Sequence, residues 1–143
     1  MEPRISMVTL GVADLQKSID FYEQVVGWQA MEKLPTIAFF DLRGLAFSLY
    51  PHSEMVKEWN ATLDDIPTYR GFALAHNVAS AEQVDAIFAR LESKGCDIVK
   101  PPEKVFWGGY SGYFADPDGN KWEVAHNPFW VMREDGRIVM KKA

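Results

Sequence analysis

Cysteine is almost absent from this chain. Cys96 stands alone in 143 residues, so no intrachain disulfide can form and paired-cysteine redox or zinc motifs are excluded. A reducing cytoplasm is the expected compartment. No apolar run approaches the roughly 20 residues that span a bilayer, so no membrane partner is expected. The opening stretch, MEPRISMVTL, also lacks the apolar segment of a signal peptide. Basic charge is short as well: 15 Lys and Arg face 20 Asp and Glu, a formal net charge of −5. That balance argues against nucleic acid, and Lys141-Lys142 at the tail is too short for a basic patch. Neither a GxxxxGK[ST] phosphate loop nor a G-x-S-x-G nucleophile elbow occurs.

What is present is an ordinary globular composition, 48% hydrophobic and 24% charged, in a length suited to one domain. Ile5 to Val12 is a β-rich run. Asp14 can then cap a helix whose apolar residues Leu15, Ile19, Tyr22 and Val26 recur at helical spacing, with Gly27 as its stop. Strand-like stretches follow over Trp28–Leu34, Ile37–Leu42 and Leu45–Tyr50, the last two joined by an Arg43-Gly44 turn. A connector over 53–70 has room for a short helix at Ser53–Trp59.

The order then repeats. Gly71–Val78 reads as a strand, and Ser80 with Gln83 forms a capping box for a helix carrying Val84, Ile87, Phe88 and Leu91. Gly95 ends it. Ile98-Val99 opens another strand that Pro101-Pro102 should break, and a further strand runs up to Ala115. Asp116-Pro117-Asp118-Gly119 has type I turn chemistry, and Asn120–His126 closes the series. LGVADLQKSIDFY answers AHNVASAEQVDAIF, and RGLAFSLYPH answers DGNKWEVAHNP, with Gly44 on Gly119. Such duplication implies that each half supplies part of a sheet neither buries alone. The expected organisation is a single domain over 1–128, with module one at 1–52 and module two at 71–128. An appendage, 129–143, would form a small hairpin around Glu134-Asp135-Gly136.

MVTLGVADLQKSIDFYEQVVGW near the start and GYFADPDGNKWEV near the end resemble the vicinal oxygen chelate superfamily. That superfamily holds glyoxalase I, extradiol dioxygenases, fosfomycin-resistance enzymes and bleomycin-resistance proteins. The resemblance implies an α+β fold in which two tandem βαβββ modules curl into a mixed-sheet cup, helices outside. It also implies a divalent metal on the cup floor, ligated from the first and last strands of each module. Those ligand positions fall on Met7, Ser48, Ala73 and Glu123. Thioether sulfur is soft, alanine offers no donor and a neutral hydroxyl is a weak one, so only Glu123 suits a hard cation. No metal and no other cofactor is therefore expected.

Glu123 alternates with Trp122 and Val124 in the closing strand. In an isolated strand its face would meet solvent. The resemblance instead puts it on the concave face with Met7, Thr9, Phe39, Ser48, Ala73 and Ala75, and Trp107 and Tyr110 near the mouth. A carboxylate among apolar neighbours is disfavoured as an anion and suits a general base or a hydrogen-bond anchor. VFWGGYSGYF admits two readings: aromatics stacking on a planar ligand above a glycine lip, or core aromatics with turn glycines. His76 is expected against the helix layer as a hydrogen-bonded core residue, and His52 and His126 at strand ends. Cys96 is expected to be an inert thiol.

The functional expectation is a metal-independent, glyoxalase-like binder of a small apolar or aromatic molecule, acting by sequestration. The alternatives are a lyase or isomerase with Glu123 as general base, and a divalent-metal lyase or dioxygenase of the same superfamily. A homodimer is expected, because curled open sheets leave strand edges to cover.

Overall fold

Asp14, in extended conformation, accepts a hydrogen bond from the Lys17 amide at 3.0 Å through Oδ1 and so starts helix α1 (Leu15–Asp20). The coil then widens into a π-type turn over Phe21–Val26 and stops at Gly27, whose φ is +90°. The amides of Gly27 and Trp28 both donate to the Tyr22 carbonyl, at 3.0 and 2.9 Å. This wide closure brings Trp28 back over Tyr22, ring centroids 5.6 Å apart. The expected continuous α-helix therefore changes pitch in its last turn, where Trp28 is pulled into the aromatic core rather than starting a strand.

The structure, a computed structural model, describes residues 3–67 and 69–140; Lys141-Lys142 and the end of the expected appendage lie outside the described residues. The chain divides into a first unit up to Arg70 and a second from Gly71. The first unit holds β1 (Met7–Val12), α1, β2 (Glu32–Lys33), β3 (Ala38–Asp41), β4 (Ala46–Pro51) and α2 (His52–Glu58). Its sheet order is β1-β4-β3-β2, with β1 parallel to β4 and the other pairs antiparallel. Arg43 and Gly44 both have positive φ and turn β3 into β4. Leu10, Val12, Ala38, Phe40, Phe47 and Leu49 are buried together with Ile19 and Tyr22 of the helical segment.

The second unit repeats the order with β5 (Leu74–Asn77), α3 (Ala81–Ser93), β6 (Asp97–Lys104), β7 (Tyr110–Ala115) and β8 (Lys121–His126). Its sheet runs β5-β8-β7-β6, again with the first and last strands parallel. A hairpin, β9 (Trp130–Met132) and β10 (Ile138–Met140), follows with Gly136 in its turn. The fold is thus α+β, two tandem βαβββ units. Among the described residues no helix is long and apolar enough to cross a membrane.

Ser80 Oγ accepts the Gln83 amide at 3.4 Å, while Gln83 Oε1 caps the Ala79 amide at 2.8 Å, one residue before the position a capping box requires. Pro101-Pro102 does not break its strand. β6 is the terminal strand of the sheet, where a missing amide costs no ladder bond, and its register slips between Ile98 and Lys100 and again before Glu103. Gly112 answers that irregularity: a Cβ there would lie 2.6 Å from Phe88 Cζ and 2.9 Å from both the Lys100 carbonyl and the Pro102 nitrogen.

Candidate functional site

Strand pairing decides which side chains share a face. In the second unit the Asp116-Pro117-Asp118-Gly119 turn sets the register. Asp116 Oδ1 accepts the amides of Asp118 and Asn120 at 3.0 and 2.9 Å, and Oδ2 accepts Asn120 Nδ2 at 2.8 Å. From that pinned turn, Glu123 falls opposite Tyr113 on β7 and Ala75 on β5, and Tyr113 falls opposite Lys100 on β6. Ala75, Glu123, Tyr113 and Lys100 therefore make one row across the sheet, on the face opposite buried Trp122 and Val124. Glu123 is half-buried, so the row is neither a core row nor a fully solvated one. Partial burial first, then the charge of the Glu123 carboxylate across the strand, raise the Tyr113 phenol above its ordinary pKa. Lys100 is paired with Glu103 at 2.6 Å.

In the first unit Thr9 stands opposite Ser48, and Ser48 opposite Phe39. The Thr9 and Ser48 hydroxyls are 2.7 Å apart, and Ser48 is fully buried. Met7 shares this face by alternation and is 50% exposed. Glu32, opposite Phe39, puts a carboxylate at the end of the same row.

Three expected placements are corrected. Tyr110 does not share the Glu123 face: it pairs with His126, alternates with Tyr113, and its hydroxyl donates to Asp85 of α3 at 2.7 Å. That hydrogen bond is the largest cause raising the Tyr110 pKa. Ala73 precedes β5 and is exposed, because pairing with β8 begins only at Leu74. His76 lies in the Val124 row as expected but keeps solvent contact on a terminal strand, and is no core residue. Neighbouring atoms nevertheless lower its pKa through desolvation.

Trp107 sits in the β6–β7 connection, 37% exposed, with its ring over the Gly109 backbone where a Cβ would fall 1.9 Å from the indole. Gly109 is required by that close approach and Gly108 by its φ of +96°, so these glycines belong to turn and packing. His52 heads α2 with its ring filling the space over Gly11, and His126 ends β8 with Nδ1 3.3 Å from the Val78 carbonyl. Burial pushes the Cys96 thiol up to about 11, as suits an inert residue. Tyr113 enters the sequence reading as one of the VFWGGYSGYF aromatics and not as the neighbour of Glu123. Counting the antiparallel register outward from Asp116 and Asn120 would have paired it with Glu123.

The four positions that the resemblance makes metal ligands do not fit a divalent ion. Met7 offers sulfur, Ser48 a hydroxyl already hydrogen-bonded to Thr9, Ala73 nothing, and Glu123 a single carboxylate. Among the described residues no three His, Cys, Asp or Glu side chains converge as a metal site.

The sequence profile of the Glyoxalase/Bleomycin resistance protein/Dioxygenase superfamily matches residues 4–124. The chain is 30% identical over 119 residues to the metallothiol transferase FosB of Lysinibacillus sphaericus, covering 83% of this chain and 79% of that protein. It is 28% identical over 120 residues to the glutathione transferase FosA of Serratia marcescens, covering 84% and 78%. Among solved structures, a glyoxalase-related enzyme from Fulvimarina pelagi superposes with a TM-score of 0.88 at 30% identity, over 99% of this chain and 100% of that one. The fosfomycin resistance protein FosX of Listeria monocytogenes gives 0.70 at 25% identity, over 89% and 95%. With two tandem βαβββ units and a family match across most of its length, the chain belongs to the glyoxalase/bleomycin resistance protein/dioxygenase superfamily.

Proposed function

We propose that this chain binds a small apolar or aromatic molecule in the cytoplasm, as a homodimer, without the divalent ion used by metal-dependent relatives. The observation that carries the reading is the donor set: Met7, Ser48 and Ala73 fall at three of the four ligand positions that the resemblance implies, which leaves Glu123 as the one carboxylate among them. Each unit presents its own candidate binding row, Glu123 with Tyr113 and Ala75 in the second and Thr9, Ser48, Phe39 and Met7 in the first. The chain's acidic balance favours ligands with cationic or hydrogen-donating groups. The test is native mass spectrometry of protein purified with and without a chelator. A small molecule retained equally in both, and lost in Glu123→Gln, supports the reading; retention abolished by the chelator overturns it.

The half-buried Glu123 carboxylate opposite the Tyr113 phenol favours a second reading, a lyase or isomerase in which Glu123 takes a proton from a carbon next to a carbonyl. Exchange of such a proton with deuterated solvent, catalysed by the wild type and not by Glu123→Gln, distinguishes enzyme from binder. The names of the metallothiol transferase FosB and glutathione transferase FosA relatives point to a third outcome, transfer of a thiol, which the same chelator arm tests for dependence on metal.

A further inference from the structure

The second unit contains a cleft that the Glu123 row does not use. It has a volume of about 250 Å³ and opens past the ends of parallel strands β5 and β8, between the Asn77–Ala79 turn and the β9–β10 hairpin. In sheets with parallel strands, the space beyond their carboxyl ends is a recurrent ligand position. Drug-sized pockets run from about 300 Å³ upward, so this one suits a fragment-sized molecule.

Its lining has a definite chemistry. Trp130, Met132 and Ile138 from the hairpin give an apolar wall, while Asn77, His126 and Asn127 give polar edges. No lining residue carries a fixed charge. Trp130 and Ile138 remain 37% and 40% exposed, a substantial apolar surface left in contact with water. The Val78 carbonyl can only accept, so His126 Nδ1 must donate across their 3.3 Å contact. In the neutral ring Nε2 is then left as an acceptor. Val78 is itself held by the hydrogen bond that its backbone N–H donates to the Ala125 carbonyl at 2.9 Å, which fixes the imidazole's anchor.

We infer that this cleft is a second small-molecule site, taking an uncharged planar ring that stacks on Trp130 and donates an N–H or O–H to His126. The hairpin beyond the duplicated fold thereby acquires a role as one wall of the site. The inference does not depend on the Glu123 reading, and its test separates the two.

The probe is indole, a neutral fused ring with one N–H, titrated into the isotope-labelled full chain and followed by amide nuclear magnetic resonance. Saturable shifts at Asn77, His126, Asn127 and the Trp130 indole N–H are expected, with a dissociation constant at or below about a millimolar. Losing the donated hydrogen bond should weaken binding about tenfold, both for 1-methylindole on the wild type and for indole on His126→Phe. Trp130→Ala should abolish the shifts, and Glu123→Gln should leave them unchanged. The same spectra report whether each variant folds; the 1-methylindole comparison needs no variant. Absence of saturable shifts, shifts centred on Tyr113 and Glu123, or equal binding of 1-methylindole each overturns the inference.

Discussion

A carboxylate between Trp122 and Val124 is accounted for by its cross-strand neighbour. Tyr113 stands opposite Glu123 in the register, and partial burial together with the Glu123 charge holds the phenol in its protonated form above the ordinary tyrosine value of about 10. The folded state therefore keeps this proton more tightly than the unfolded chain. Its stabilising effect is fully present below the ordinary tyrosine pKa and is lost as pH rises through the raised one. In Glu123→Gln, the Tyr113 phenol should ionise at lower pH, read by ultraviolet difference titration, and the loss of stability at alkaline pH should diminish. An unmoved Tyr113 titration would contradict that influence of the Glu123 charge. A second prediction concerns Cys96. With its thiol pushed up to about 11, the thiolate fraction near neutrality should fall on the order of a hundredfold below that of an ordinary cysteine. Labelling by a thiol-specific disulfide reagent should slow accordingly in the folded protein and recover in denaturant.

At the scale of elements, the first unit rests on an aromatic cluster. Phe47 lies 5.0 Å from the Tyr22 ring and 5.5 Å from Trp28, edge to face with both, and is almost fully buried. Phe47→Ala should cost about 3–5 kcal/mol in a denaturant unfolding experiment. Gly112→Ala should cost about 1–3 kcal/mol by overpacking, since Phe88 and the backbone of β6 occupy the space. Much of this level was legible in the sequence. Asp14, Gly27, the Arg43-Gly44 turn and the Asp116–Gly119 turn act locally, through their own side chains or backbone angles, and could be read residue by residue. The strand faces were legible only next to such a turn: counting from Asp116 and Asn120 pairs Tyr113 with Glu123, whereas the Tyr110 bond to Asp85 of α3 depends on packing that no local count gives. Likewise, the tolerance of Pro101-Pro102 depends on β6 being terminal in its sheet, which is a property of order in space and not of composition.

For the whole molecule, duplication is the governing feature, and each copy ends its sheet on the strand that begins it, β1 or β5. These terminal strands carry exposed residues, Met7 on one and Ala75 and His76 on the other. Light scattering at micromolar concentration should return twice the 16.2 kDa chain mass, as expected where sheet edges are covered by a second copy. The larger question is whether this member of a superfamily that includes metallothiol transferases holds a divalent ion. The most direct measurement is elemental analysis by inductively coupled plasma, on protein equilibrated with zinc, manganese, nickel and ferrous ions and then freed of unbound metal. The donor chemistry of Met7, Ser48, Ala73 and Glu123 predicts well under one equivalent of any of them, unchanged in Glu123→Gln. About one equivalent in the wild type, lost in Glu123→Gln, would contradict it.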